Sequence, residues 1–211
     1  MKKLTFIGLA MACSLCGHSQ NIEYPKNQVS AFYCNGKSLY SGYDKFLGNR
    51  EPADGYKGDG TELWDYTNFS GTYNIEYLHN FIQPWMSLGV QIGYEENCSK
   101  HWIYRYRSID EKSSDHWTEK DRMPYILCVM QFDLMRRDWV GLYAKAGEGV
   151  RLIFTEKKYE SGKTGKDFNC IFAVVGATGV EFGPKIVRVF GEVGIGAQGF
   201  AIVGIRSRFQ F

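Results

Sequence analysis

Along most of this chain apolar and polar residues alternate with a period of two, the repeat of a strand whose two faces meet different surroundings. The C-terminal stretch shows it most plainly. Ala201, Val203, Ile205, Ser207, Phe209 and Phe211 share one face, and Ile202, Gly204, Arg206, Arg208 and Gln210 share the other. Upstream, Val187, Val189, Gly191, Val193 and Ile195 oppose Arg188, Phe190, Glu192 and Gly194. Before them, Phe168, Cys170, Phe172, Val174, Thr178, Val180 and Phe182 oppose Asp167, Asn169, Ala173, Ala177 and Glu181. The parity continues in Ile126 to Leu134, in Met86 to Tyr94 and in Tyr73 to Tyr77. It also runs from Val140 to Phe154, with Lys145 and Arg151 on the polar side. Glu148 falls there on the apolar parity, so a bulge at Gly147 or Gly149 is expected to re-aim it. A first strand is expected around Gln28 to Cys34.

These segments make about eight strands, each near the ~10 residues that a tilted strand needs to cross a bilayer. Gln83-Pro84, Arg136-Arg137-Asp138 and Gly183-Pro184-Lys185 are short turns, whereas 35–70, 96–122 and 156–166 read as long loops. The connection near Gln198 is short although it lies on the long-loop side. The expected fold is all-β: a closed antiparallel up-and-down transmembrane β-barrel.

Alternation alone does not say which face is inside. Three features favour an apolar exterior. Charges of both signs sit at mid-strand on the polar face, on Glu76, Asp133, Lys145, Arg188, Glu192 and Arg206, and an eight-stranded lumen is just wide enough for such side chains to fill and pair. Aromatics gather at strand ends, on Tyr94, Phe154, Phe168, Phe182, Phe209 and Phe211, as interfacial girdles do. The chain also stops on an aromatic residue.

Composition and the N-terminus refine the picture. Lys2 and Lys3 precede an apolar run from Leu4 to Leu15, too short for a membrane-spanning helix, and Gly17, His18 and Ser19 suit a signal-peptidase site. Residues 1–19 are therefore expected to be a signal peptide and 20–211 the barrel domain. The formal charge of +2 falls to 0 once Lys2 and Lys3 are removed, which argues against nucleic-acid binding by bulk charge. Cys13 and Cys16 fit a lipoprotein box poorly. The counts of Tyr 14, Phe 14 and Gly 24 suit many strands joined by tight turns. Cys34, Cys98, Cys128 and Cys170 match no zinc spacing. A Cys34–Cys98 disulfide is conceivable at the outer rim, while Cys128 and Cys170 should be kept apart by an intervening strand.

The segment Gly204-Ile205-Arg206-Ser207-Arg208-Phe209-Gln210-Phe211 resembles the C-terminal signal of bacterial outer-membrane proteins. Gly71 to Leu78, followed by Trp85 to Val90, resembles a hairpin of the small outer-membrane barrels of OmpA/OmpX type found in Bacteroides-type bacteria. The resemblance implies an outer-membrane location, lipid and the barrel-assembly machinery as partners, and a monomer. The long 35–70 segment departs from the compact loops of that pattern.

No enzymatic constellation emerges. Gly194-Ile195-Gly196-Ala197-Gln198-Gly199 spells a dinucleotide fingerprint, but no helix and second strand follow, so it reads as a hairpin turn. His79 shares the apolar parity of Tyr77, and His101 and His116 lie in the 96–122 segment, with Asp115 near the latter as weak metal candidates. Asp54, Asp59, Glu62 and Asp65 lack the EF-hand register. No catalytic, cofactor-binding or metal residue is assigned. Tyr40, Tyr43, Phe46, Tyr56, Trp64, Tyr66, Trp102, Tyr104, Tyr106 and Trp117 crowd the loop segments and suit either a self-packed lid or a surface for a ligand. The leading expectation is a non-enzymatic outer-membrane barrel, porin-like in architecture, that serves envelope structure or surface interaction through segments 35–70 and 96–122. The alternatives are a barrel enzyme acting on lipid and a soluble lipocalin-like binder of an apolar ligand, which would need an apolar lumen.

Overall fold

The structure, a computed structural model, describes residues 26–34, 61–80, 83–108 and 111–210, the side chains of 61–70, 102–108 and 111–115 apart. The proposed signal segment, most of the 35–70 segment and Phe211 lie outside the described residues. The strands are β1 (Asn27–Cys34), β2 (Thr61–Asn80), β3 (Met86–Ser108), β4 (Glu111–Arg136), β5 (Val140–Tyr159), β6 (Thr164–Phe182), β7 (Val187–Gly196) and β8 (Ala201–Phe209). Each pairs antiparallel with its sequence neighbour, and β1 closes on β8 from Asn27↔Phe209 to Cys34↔Ile202. The chain is thus a closed eight-stranded up-and-down barrel, as the alternation predicts.

Parity divides the walls sharply. In β8 the outward residues Val203 and Ile205 are each 58 % exposed, while Arg206 between strands is inaccessible. The outward band, from Ile75 and Ile92 through Phe172 and Val174 to Val193, is apolar and exposed. Inward positions are mostly polar, small or aromatic, with an aliphatic cluster of Leu78, Leu127, Val129 and Val175 among them. The three short turns lie at one end. Trp85 stacks on Phe132 there, with ring centres 6.1 Å apart, and Trp139 is exposed beside them.

The two largest inward rings fit because glycine faces them. A Cβ on Gly93 would collide with the Tyr125 ring, and one on Gly179 would collide with Tyr143 and lie 2.8 Å from Glu192 Cγ.

Two expectations are corrected. The segment 96–122 is not a loop but the upper halves of β3 and β4, which pair from Met86↔Phe132 to Tyr106↔Lys112 before a shift near Ser108. Likewise β5 runs to Tyr159 and β6 starts at Thr164, leaving a turn at 160–163, and 61–70 belongs to β2. The reason lies in the composition of these upper halves, from Glu95 to Arg122. Polar residues there occupy both parities, and the strand period disappears from the sequence while backbone pairing persists.

No bulge re-aims Glu148. The β4–β5 and β5–β6 ladders are regular through Cys128↔Glu148 and Glu148↔Val174, so Glu148 projects outward with Ala146 and Val150. A single bulge there would also have turned Arg151 outward, away from its lumen partner. Irregularities fall instead between Phe69 and Thr72, where Gly71 has φ +84°, near Ser108, and between Asp133 and Met135.

Candidate functional site

Two regions hold the polar chemistry: the lumen and the sheet that rises above it. The lumen is filled. At its lower end Glu181 receives Arg188 at 2.8 Å, Arg208 at 2.7 Å and Arg206 at 3.1 Å. Arg188 and Arg206 are direct cross-strand partners, a like-charge pair that this one carboxylate bridges. At the centre, Lys145 lies 3.1 Å from Glu76 and 2.9 Å from Glu192. Tyr143 donates to Glu192 at 2.7 Å, and Arg206 donates to Ser30 Oγ at 3.0 Å. The Arg206 guanidinium also covers the faces of Tyr143 and Phe190, 4.3 and 4.6 Å from the ring centres.

Higher up, Arg151 meets Glu95 at 3.1 Å and donates to the Ala197 carbonyl at 2.6 Å. Tyr125 bonds to Asn74, which also accepts from Gln91 at 3.1 Å. The glycine-rich turn 196–199 is a β7–β8 hairpin turn, as expected, and it folds over the lumen. Ala197 and Gln198 are inaccessible, and Gln198 donates to Glu192 at 3.2 Å.

All six mid-strand charges named from the sequence face inward, Asp133 pairing with Arg136 at 3.3 Å. Arg188, however, pairs with Glu181 rather than with Glu192, four residues along its own strand. Glu181, the hub of the lower cluster, lies on the polar parity near the end of β6, outside the mid-strand charge set. Tyr125 and Tyr143 also face the lumen, and an aromatic on the polar parity carries no separate sequence signal.

Above the barrel, β2 to β6 continue as a curved sheet after β1, β7 and β8 have ended. The ladder of β2 to β1 stops at Cys34↔Thr72, and that of β6 to β7 stops at Val175↔Gly196. Between Thr164 and Ala173, no described strand pairs with the far edge of β6. On the inner face of this wall the His101 ring stacks on Trp117 with centres 4.7 Å apart, and Trp117 leans on Tyr159 at 6.5 Å. Glu119 reaches His101 at 3.7 Å and Lys157 at 3.6 Å, and Thr155 donates to Asp121 at 2.6 Å. A cleft of about 320 Å³ at the rim is lined by Lys100, His101, His116, Trp117, Thr118, Lys158, Tyr159 and Glu160. It combines an aromatic stack with cations, a surface suited to holding a polar ligand.

The histidines separate. His101 points to the inner face and Glu119, His116 lies 3.4 Å from exposed Glu160, and His79 shares Asn27 Oδ1 with Tyr77 near the lower rim. Among the described residues no group of three or more potential metal ligands comes together. On the outer face Lys120 bonds to Glu96 at 2.8 Å and Arg122 approaches it at 3.9 Å. The Lys120 hydrogen bond holds the Glu96 carboxyl below its ordinary range, so Glu96 stays charged at neutral pH.

Among the described residues no disulfide forms: Cys34 is buried on the lumen side, and Cys98 is on the outer parity of β3, so the two face opposite ways and do not bridge. Cys128 and Cys170 are exposed on β4 and β6 with β5 between them.

No protein-family model and no curated protein matches this chain. Among solved structures, Ail, the attachment invasion locus protein of Yersinia pestis, in complex with the heparin analogue sucrose octasulfate, aligns over 89% of this chain and 100% of that chain at 11% identity, with a TM-score of 0.43. A second structure of Ail aligns over the same shares at 11% identity with a TM-score of 0.39. Likeness of this size is one of outline and does not extend to residues or roles.

Proposed function

We propose that this chain is an outer-membrane β-barrel, assembled by the barrel-assembly machinery, that acts as a non-enzymatic anchor for a raised sheet binding a partner or ligand at the cell surface. One observation carries the reading: the barrel is apolar on its outside and charged within. Ile75, Phe172 and Val193 are each more than half exposed, while Lys145, Glu76 and Arg206 are sealed inside. In water such a wall would expose a continuous apolar patch far larger than soluble monomers tolerate. In a bilayer the same wall faces hydrocarbon, and every backbone group is satisfied by closure.

The raised sheet supports the surface role. It offers the aromatic-cationic cleft at its rim, and the far edge of β6 from Thr164 to Ala173 is a template for strand addition.

The test is cell fractionation. The protein should sediment with outer membranes, resist alkaline carbonate and migrate as a heat-modifiable band. Recovery in the soluble periplasmic fraction would defeat the proposal.

A further inference from the structure

Among the described residues the outer wall carries a depression of about 950 Å³, centred on β8, β1, β2 and β3 and flanked by Val189 of β7 and Pro124 of β4. Cross-strand register explains its shape. Ala31 is paired with Ile75 on one side and Ile205 on the other, so a methyl group sits between two isoleucines and leaves a trough. Ile92 extends the same row on β3. One step along the strands toward the raised sheet, Val203, Tyr33, Tyr73 and Tyr94 form the next row. The Tyr33 and Tyr73 rings pack with centres 5.1 Å apart.

The trough therefore ends in a band of tyrosines, the residue type that marks the boundary of hydrocarbon and headgroup. Immediately beyond Tyr94 and Pro124 the register places Glu96 beside Arg122, and Lys120 bends back onto Glu96. The Arg122 side chain is 51% exposed. With Glu156, the cross-strand partner of Lys120, and its own neighbours Lys158 and Lys166 included, four cations face two carboxylates, so the headgroup end of the apolar trough has a net positive charge.

We infer that this face is a binding seat for a phosphorylated, multiply acylated glycolipid of the outer leaflet, with acyl chains in the trough over Ala31 and phosphate against Arg122 and Lys120. The inference rests on the outer-membrane reading. Charge complementarity selects an anionic headgroup. Width selects the source: strands lie about 4.8 Å apart, so the four central ones alone span roughly 14 Å, enough for several extended acyl chains side by side. A two-chain phospholipid would leave part of that width uncovered. Position agrees, because the cationic end lies on the side of the long connections, which face outward in such barrels. The Glu96 carboxylate opposes a phosphate, and its bonds to Tyr94 Oη at 3.0 Å and to Lys120 turn it toward protein partners.

The test titrates the full chain, folded in detergent, with bisphosphorylated hexa-acyl lipid A and follows retention by native mass spectrometry. Wild type should retain the lipid. The double change Arg122→Gln with Lys120→Gln should weaken retention about tenfold or more, the scale of a lost charge-assisted hydrogen bond. Ala31→Trp, which fills the trough without touching the charges, should weaken it as well. Heat-modifiable migration verifies that each variant is folded. Equal retention of dephosphorylated lipid A, or of phosphatidylglycerol, or unchanged retention by both variants overturns the assignment. A chain that inserts into vesicles yet retains no lipid A overturns this inference alone. One that does not insert overturns the outer-membrane reading and this inference with it.

Discussion

Two glutamates show how strongly position governs the consequence of a charge. Glu192 is sealed in the lumen between Lys145, Tyr143 and Gln198. Replacing it with Leu removes the acid and leaves Lys145 with Glu76 as its one remaining carboxylate in a fully buried setting. Breaking a buried pair from one side costs about 3 kcal/mol or more, so Glu192→Leu should lower the stability of the barrel by that order. Glu148 has the opposite setting. Among the described residues of the outward band it is the one charged side chain, standing between Cys128 and Val174 midway along the wall. An acid against hydrocarbon is unfavourable, and Glu148→Leu should raise stability by about 1–2 kcal/mol. Reversible urea unfolding in lipid vesicles measures both. A stabilised Glu192→Leu together with a destabilised Glu148→Leu would mean that the assignment of inside and outside is reversed.

At the level of the strand, packing depends on matching a large ring on one strand with an absent side chain on the next. Tyr143 of β5 lies over Gly179 of β6, its Cα partner, and Tyr125 of β4 lies over Gly93 of β3 in the same way. Gly179→Val should therefore push Tyr143 from its place on Glu192 and Arg206, at a cost of about 1–3 kcal/mol for forced overpacking. The companion change Tyr143→Phe retains the ring but loses the hydrogen bond, so it should not relieve the clash. Unfolding midpoints of the two single variants and the double variant test this. A Gly179→Val protein as stable as wild type would show that the ring has room to move. Strand length carries a second lesson. β4 spans 26 residues and β8 spans 9, so the barrel is level on one rim and tall along one side of the other.

For the whole molecule, the filled lumen decides what the barrel does not offer. Eight strands leave space for side chains and little else. Here that space holds interlocking clusters around Glu181, Lys145 and Arg151, with the 196–199 turn seated on top. Reconstituted into planar bilayers, the protein should give no steady ion conductance above background. Sustained open-channel currents would show that the turn or the charge clusters part in the membrane. Closure also explains why the barrel walls need no edge protection, while in the raised sheet no described strand pairs with the far edge of β6 from Thr164 to Ala173.

Much of this architecture was legible from the linear chain because a barrel wall between two unlike media writes its period into the sequence. Wherever lipid-like and lumen faces differ, apolar and polar residues alternate, and the strands from Tyr73 to Phe209 can be read off by parity. The three short turns and the inward set of charges followed from the same rule. Reading failed where that contrast vanished. Above the rim polar residues stand on both faces, so residues 96–108 and 111–122 carry no period and read as loop, although backbone pairing holds them as strands. The partners of each charge were also out of reach: Arg188 joins Glu181 on β6 rather than Glu192 on its own strand, because shear between strands sets which side chains share a level. Glu148 shows the remaining limit. Its parity was plain, yet whether a bulge would turn it inward depended on keeping Arg151 at Glu95 and the neighbouring ladders in register, and those are contacts between strands, which no single strand records.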